Sequence, residues 1–211
     1  MDGLNDAVRC GYHASVRLLG GTGLMSIMTV LIAPDAFLNT AGTARFALGL
    51  RASKRVRPAF HEIYRMLRWN RFCVSFYGWH KADKFLAAWR EVGFRVIGHL
   101  TFIKRYASTE RFLRYQHENA YLLAKGNPQK PARTIPDVLE WQYTGNNLHP
   151  TQKPVSVLTP LVESFSNPGD VVLDPFCVSG STLLAARKLN RRFLGIELSK
   201  QYFDLAEQRL R

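Results

Sequence analysis

One stretch of this 211-residue chain restricts its fold more than any other: Gly169-Asp170-Val171-Val172-Leu173-Asp174-Pro175-Phe176-Cys177-Val178-Ser179-Gly180-Ser181-Thr182. Val171 to Leu173 reads as a short buried strand halted at a carboxylate. A turn of small residues follows, and a helix from about Thr182. A second apolar run, Arg192 to Ile196, ends at Glu197. Strand, small-residue turn and helix is how α/β proteins take a nucleotide-like ligand, and a carboxylate at the next strand tip suits ribose hydroxyls. The turn is not G-x-G-x-x-G. Its backbone N–H groups and the hydroxyls of Ser179, Ser181 and Thr182 suit a carboxylate at the helix start. The alternative is an ordinary βα turn with a helix cap; Glu197 at the second strand tip favours the site.

The rest of the chain alternates strand and helix. Ser26 to Ala33 reads as a buried strand stopped by Pro34, and residues 37–57 as an irregular loop. A helix is predicted over Pro58–Leu67, with Phe60, Ile63, Tyr64 and Leu67 on one face, and another over Asp83–Val92, closed by Gly93. Strands are predicted over Phe72–Tyr77, Phe94–Ile103 and Ala120–Ala124. Residues 127–147, with Pro128, Pro131 and Pro136, read as a loop, and Pro154–Phe165 as a helix. This order predicts an α/β fold: a doubly wound, mostly parallel sheet with helices on both faces.

The formal charge of +13 and pI near 10.1 favour a polyanionic partner, with nucleic acid first and an anionic membrane second. Cys10, Cys73 and Cys177 are far apart and odd in number, so they suggest neither a disulfide framework nor a metal site. The longest apolar run, Leu24 to Ala33, is too short to span a bilayer. With Arg9 and Arg17 before it, it faintly imitates a signal peptide, but the remainder reads as a cytoplasmic protein with no membrane partner.

Three further groups bear chemistry. His149-Pro150-Thr151-Gln152-Lys153-Pro154 is a rigid polar entry to a helix, in which Lys153 suits a ligand carboxylate; a plain helix start is the alternative. Trp79, His80 and Lys81 follow a strand's carboxyl end, where open α/β sheets bind ligands, although a half-buried Trp gives the same pattern. Lys104, Arg105, Tyr106, Arg111, Arg114 and Tyr115 interleave basic and aromatic residues, as a face tracking a nucleic-acid backbone does, or a solvated helix face.

Together these segments resemble the S-adenosylmethionine-dependent DNA amino-methyltransferases (cytosine-N4 or adenine-N6) in the permuted order that puts the cofactor half last. "HPTQKPVSVLTPLVESF" is similar to the family's motif X, and "DVVLDPFCVSGSTLLAARKLNRRFLGIEL" to motif I running into motif II. "FCVSFYGW", "GFRVIGHLTFIKRY" and "HENAYLLAKG" are similar to the strands between the catalytic motif and motif X. The likeness covers residues 58–211 of what reads as a single methyltransferase-like domain over residues 1–211; residues 1–57 diverge. The resemblance implies a Rossmann-like methyltransferase fold, S-adenosylmethionine as cofactor and DNA as partner, as in a restriction-modification or orphan methylase. It implies that Asp174, Phe176, Ser179, Gly180 and Ser181 surround the methionine part of the cofactor, that Glu197 holds the ribose hydroxyls, and that Thr151 and Lys153 close the site. The strand tip from Tyr77 to Trp79 would face the pocket for a flipped base. The basic residues Lys104, Arg105, Arg111 and Arg114 would join Trp79 on the DNA.

The chain departs from the family twice. Where the catalytic Asp/Asn/Ser-Pro-Pro-Tyr/Phe belongs, it has Ala33-Pro34-Asp35-Ala36-Phe37, so Pro34, Asp35 and Phe37 are the catalytic candidates of a degenerate motif. Val178 stands where motif I has glycine, and a β-branched residue strains a turn that needs positive φ. The leading expectation is a site-specific DNA methyltransferase, most like the adenine-N6 type and impaired by these changes. The alternative is an inactive DNA-binding protein with the same fold. A small-molecule methyltransferase fits the charge poorly.

Overall fold

A computed structural model describes residues 29–32 and 56–211, apart from residues 109–110, 146–147, 149–151 and 198. Within them lie seven strands, β1 (Thr29–Ile32), β2 (Arg71–Tyr77), β3 (Arg95–Lys104), β4 (His117–Lys125), β5 (Val138–Trp141), β6 (Val171–Asp174) and β7 (Arg192–Gly195). Five helices accompany them, α1 (Val56–Met66), α2 (Ala82–Glu91), α3 (Val155–Phe165), α4 (Ser181–Lys188) and α5 (Lys200–Leu210).

The strands form one sheet in the order β5-β3-β4-β2-β1-β6-β7. Its two faces are covered by helices whose apolar positions recur every three to four residues. Phe60, Ile63 and Met66 of α1 and Phe85 and Trp89 of α2 pack on Cys73, Tyr77, Leu123, Val171 and Leu173. On the other face, Leu158, Leu161, Val162 and Phe165 of α3 and Leu183 and Ala186 of α4 pack on Val74, Phe76, Val172 and Phe193. Val172 faces opposite to its neighbours because side chains alternate along a strand. The α/β class with helices on both faces is as the alternation implied.

Strand directions follow from the pairings. β6 is parallel to β7, β5 is parallel to β3, and β1/β2, β1/β6, β2/β4 and β3/β4 are antiparallel. Thus β2, β3, β5, β6 and β7 point one way, and β1 and β4 the other. β4 is reversed because it closes the β3–β4 hairpin. β1 is reversed between two strands that run alike, with Thr29 opposite Ser75, Leu31 opposite Leu173 and Ile32 opposite Val172. Its carboxyl end therefore lies beside the amino ends of β2 and β6.

Two elements differ from the sequence reading. β5 interrupts the segment read as a loop: Val138–Trp141 pairs in parallel with Thr101–Lys104 of β3. The expected strand Ser26–Ala33 is described only as Thr29–Ile32. Among the described residues, no helix is long and apolar enough to cross a membrane.

Candidate functional site

The carboxyl ends of β2, β3, β5, β6 and β7 share one edge of the sheet, and the chemistry gathers there. Asp174 is the last residue of β6 and is buried. Its Oδ1 accepts the Phe176 N–H at 3.0 Å. Burial pushes its carboxyl up to about 7, against hydrogen bonds from the Thr182 side chain and the Phe176 N–H that favour the charged form.

After Asp174 the chain turns through two residues with left-handed backbone, Val178 at φ 48° and Gly180 at φ 72°. Gly180 needs to be glycine twice over: its φ disfavours a side chain, and a Cβ there would meet the Ala206 Cβ at 3.0 Å. Val178 is thus the strained residue its position in the motif predicted. The turn is held from outside. Glu197 Oε2 accepts the Val178 N–H at 2.9 Å, and its Oε1 accepts the Ser199 N–H at 2.9 Å. The Ser179 carbonyl and the Ser181 Oγ both accept from the Arg209 guanidinium near the end of α5, the latter at 3.2 Å. Ser181 is therefore engaged by Arg209, and Phe176 is half-buried against the α1/α2 core.

The segment entering α3 forms the opposing wall. Lys153 is only 8% exposed. Its ammonium lies 5.3 Å from the Phe76 ring centroid and 5.5 Å from that of Trp141. Burial brings it down to about 8, opposed by Glu118 and, more weakly, Asp174. The adjacent Gln152 has a buried Oε1 without a hydrogen-bond partner. Thr151 and the catalytic candidates Pro34, Asp35 and Phe37 lie outside the described residues; β1, which precedes those candidates, ends at the opposite edge of the sheet.

The expected DNA face changes in part. Lys104 is 5% exposed, is paired with Glu118, and donates to Ser108 Oγ at 2.7 Å. It turns inward because it continues the inward alternation of Leu100 and Phe102 on β3, away from the exposed face on which it was expected. Arg105, Arg111 and Arg114 are exposed, and Arg105 pairs with Glu140 at 2.8 Å. Trp79 is 57% exposed. Tyr77 is turned into the core, its hydroxyl 3.0 Å from His99 Nε2, and burial pushes it up to about 12.

The donor set fits one kind of ligand. Two carboxylates, Asp174 and Glu197, suit an ammonium and vicinal hydroxyls, Lys153 suits a carboxylate, and the unpartnered Gln152 Oε1 awaits a donor. The comparison with known proteins decides between such ligands. Residues 50–208 match the model of the N6/N4 DNA methylase family. The chain belongs to that family. It is 50% identical over 166 residues to the protein described as "Putative methylase YubD" of Escherichia coli (strain K12), covering 79% of this chain and 73% of that one. It is 49% identical over 67 residues to the type II methyltransferase M.HinfI of Haemophilus influenzae, covering 32% of this chain and only 19% of that enzyme. The crystal structure of the M1.HpyAVI–SAM complex superposes with a TM-score of 0.64 at 25% identity, covering 72% of this chain and 80% of that one. The methylase family uses S-adenosylmethionine, and the residues at this edge fit that cofactor. Sequence reasoning missed Gln152 and Arg209. Nothing in the sequence pattern marks Arg209; the packing of α5 on the turn brings it to Ser179.

Proposed function

We propose that this chain is a DNA amino-methyltransferase of the adenine-N6 type by descent, with a complete cofactor half and impaired methyl transfer. When bound, the cofactor supplies an activated methyl group for the exocyclic amine of a flipped base. The chain's own part is to position and to hydrogen-bond. Lys153 receives the carboxylate, Asp174 and the Gln152 Oε1 the ammonium, and Glu197 the hydroxyls. An amine donor needs an acceptor as it gains positive charge, and this is where the chain is deficient. The observation that carries the reading is β1: the strand ahead of Ala33-Pro34-Asp35-Ala36-Phe37 runs backwards between β2 and β6.

The test uses the full chain with methyl-labelled S-adenosylmethionine and unmethylated genomic DNA. Calorimetry is expected to show cofactor binding, and nucleoside digestion to show no label in N6-methyldeoxyadenosine. Turnover of several methyl groups per protein molecule would refute the impairment, and label in N4-methyldeoxycytidine would refute the adenine assignment.

A further inference from the structure

The loop joining β3 to β4, residues 105–116, has a braced foot and a bare tip. At the foot, the Lys104 N–H donates to the Gln116 carbonyl at 2.7 Å and the Ser108 N–H to the Tyr115 carbonyl at 2.8 Å. The Tyr115 ring stacks on Trp79, with centroids 5.8 Å apart and planes 15° from parallel. Tyr106 meets Tyr143 edge-on at 4.7 Å. At the tip, the Arg111 N–H donates to the Leu113 carbonyl at 3.2 Å, folding the chain back on itself. Phe112 is left 100% exposed and Leu113 68% exposed.

Two adjacent large apolar side chains on a braced foot form a surface built to be covered. Their surroundings specify the cover. Arg105, Arg111 and Arg114 flank them, against Glu110 alone, so the loop carries 3 − 1 = +2. The loop springs from the same sheet edge as Asp174 and Lys153, beside the Trp79–Tyr115 stack. Proteins that kink a duplex combine these parts: apolar wedges between base steps and cations on the phosphates either side.

We infer that Phe112 and Leu113 are a wedge that enters duplex DNA between stacked base pairs beside the site, while Arg111 and Arg114 hold the flanking phosphates. The wedge opens a base step and so lowers the cost of taking the neighbouring base out of the stack. This inference rests on the DNA reading above, and its test separates the two.

A relaxed, covalently closed plasmid offers every short sequence, so the target sequence need not be known. The full chain is added with topoisomerase I, protein is removed, and the linking number is read on a gel; binding to the same plasmid is followed by mobility shift. The wild-type chain is expected to lower the linking number in proportion to the amount bound. Phe112→Ala with Leu113→Ala is expected to bind within about threefold of the wild type, because phosphate contacts supply most of the affinity, and to leave the linking number unchanged. Phe112→Trp retains the effect. Both variants melt close to the wild type, since Phe112 is fully exposed and Leu113 largely so. Binding without a change in linking number, or an undiminished change with the double alanine variant, overturns the wedge alone. No binding even at low salt overturns the DNA reading and the wedge with it. Two other results overturn the wedge by naming a different cover. One is Phe112-dependent sedimentation with vesicles of anionic phosphatidylglycerol; the other is a Phe112-dependent dimer in sedimentation velocity.

Discussion

β6 has a neighbour on each side. On one side β7 follows through α4 and runs parallel, with Asp174 opposite Gly195 and Glu197 just beyond the tip. On the other side β1 is four residues long and antiparallel, with Ile32 opposite Val172. The first arrangement delivers two carboxylates and the turn between them to one edge of the sheet. The second carries the end of its strand to the opposite edge. The difference teaches that a slot in a sheet is filled by hydrogen-bonding pattern and apolar character, whereas a site needs direction as well. On the function proposed above, cofactor binding draws on the β7 side and the acceptor for the target amine on the segment that follows β1, so the two functions separate.

The largest expected effect tests the β1 side. Ala33→Asp, Asp35→Pro and Ala36→Tyr with Val178→Gly rebuild the family's tetrapeptide on the present strand. Transfer is expected to stay at least about a hundredfold below a competent enzyme, the scale of losing one well-placed transition-state contact. Replacing residues 1–57 is a different experiment. If a shifted reading frame of the encoding DNA upstream of Pro58 specifies the tetrapeptide, that segment should restore labelled transfer. Restoration by the point changes alone would show that the direction of β1 is not the obstacle.

The β7 side is tested next, through the residue that ties α5 to the turn. Arg209→Ala removes the guanidinium that Ser179 and Ser181 share, and leaves the Ser179 carbonyl without that donor. A charge-assisted bond of this kind contributes about 1.5–3 kcal/mol, so calorimetric cofactor affinity should fall roughly tenfold. Arg209→Lys should recover part of it. An unchanged affinity with a lowered melting temperature would make Arg209 a fastener of α5 and nothing more.

Most of this half was legible in sequence. Small residues between an apolar strand and a helix, with carboxylates at two strand tips, form a local pattern, and Val178 has the left-handed backbone its place implied. What escaped was not local. β5 is four residues behind three prolines, and its strand character comes from pairing with β3. The direction of β1 leaves no trace in hydropathy. Lys104 looked like part of a basic face, yet the period of two through Leu100 and Phe102 already pointed it inward. That signal was present and outweighed by composition.

A third, smaller effect is in pH. Burial pushes the Asp174 carboxyl up to about 7 and brings the Lys153 ammonium down to about 8. Asp174 is raised by burial above its unfolded value, so the free protein holds its extra stability at low pH and loses it as pH rises through about 7. A cationic ligand favours the ionised carboxylate, and an anionic one favours charged Lys153. Cofactor affinity should therefore rise through about pH 7, fall above about 8, and form a bell. Asp174→Asn should flatten the acid limb and Lys153→Met the alkaline limb, both read by calorimetry. A flat profile in the wild-type chain would place neither group against the cofactor.

The smallest expected effect concerns Val178. A β-branched residue at φ 48° carries strain of about 1–2 kcal/mol. Glycine releases that strain but adds freedom to the unfolded chain, at about 0.5–1 kcal/mol. Stability measured in urea should then change by less than about 1 kcal/mol. Affinity is the more telling quantity. The N–H that Glu197 accepts is kept in Val178→Gly, while the side chain that holds a ligand off the backbone is gone. Cofactor affinity should improve about threefold to tenfold, which is at most about 1.4 kcal/mol. Val178→Ala assigns the cause, because it removes the branch and keeps the Cβ. If alanine binds like glycine, the bulk of valine is the obstacle; if it binds like valine, the left-handed backbone is. Equal affinities for all three chains would mean that the turn receives its ligand away from residue 178, and the β7 side would then be as complete as its carboxylates alone suggest.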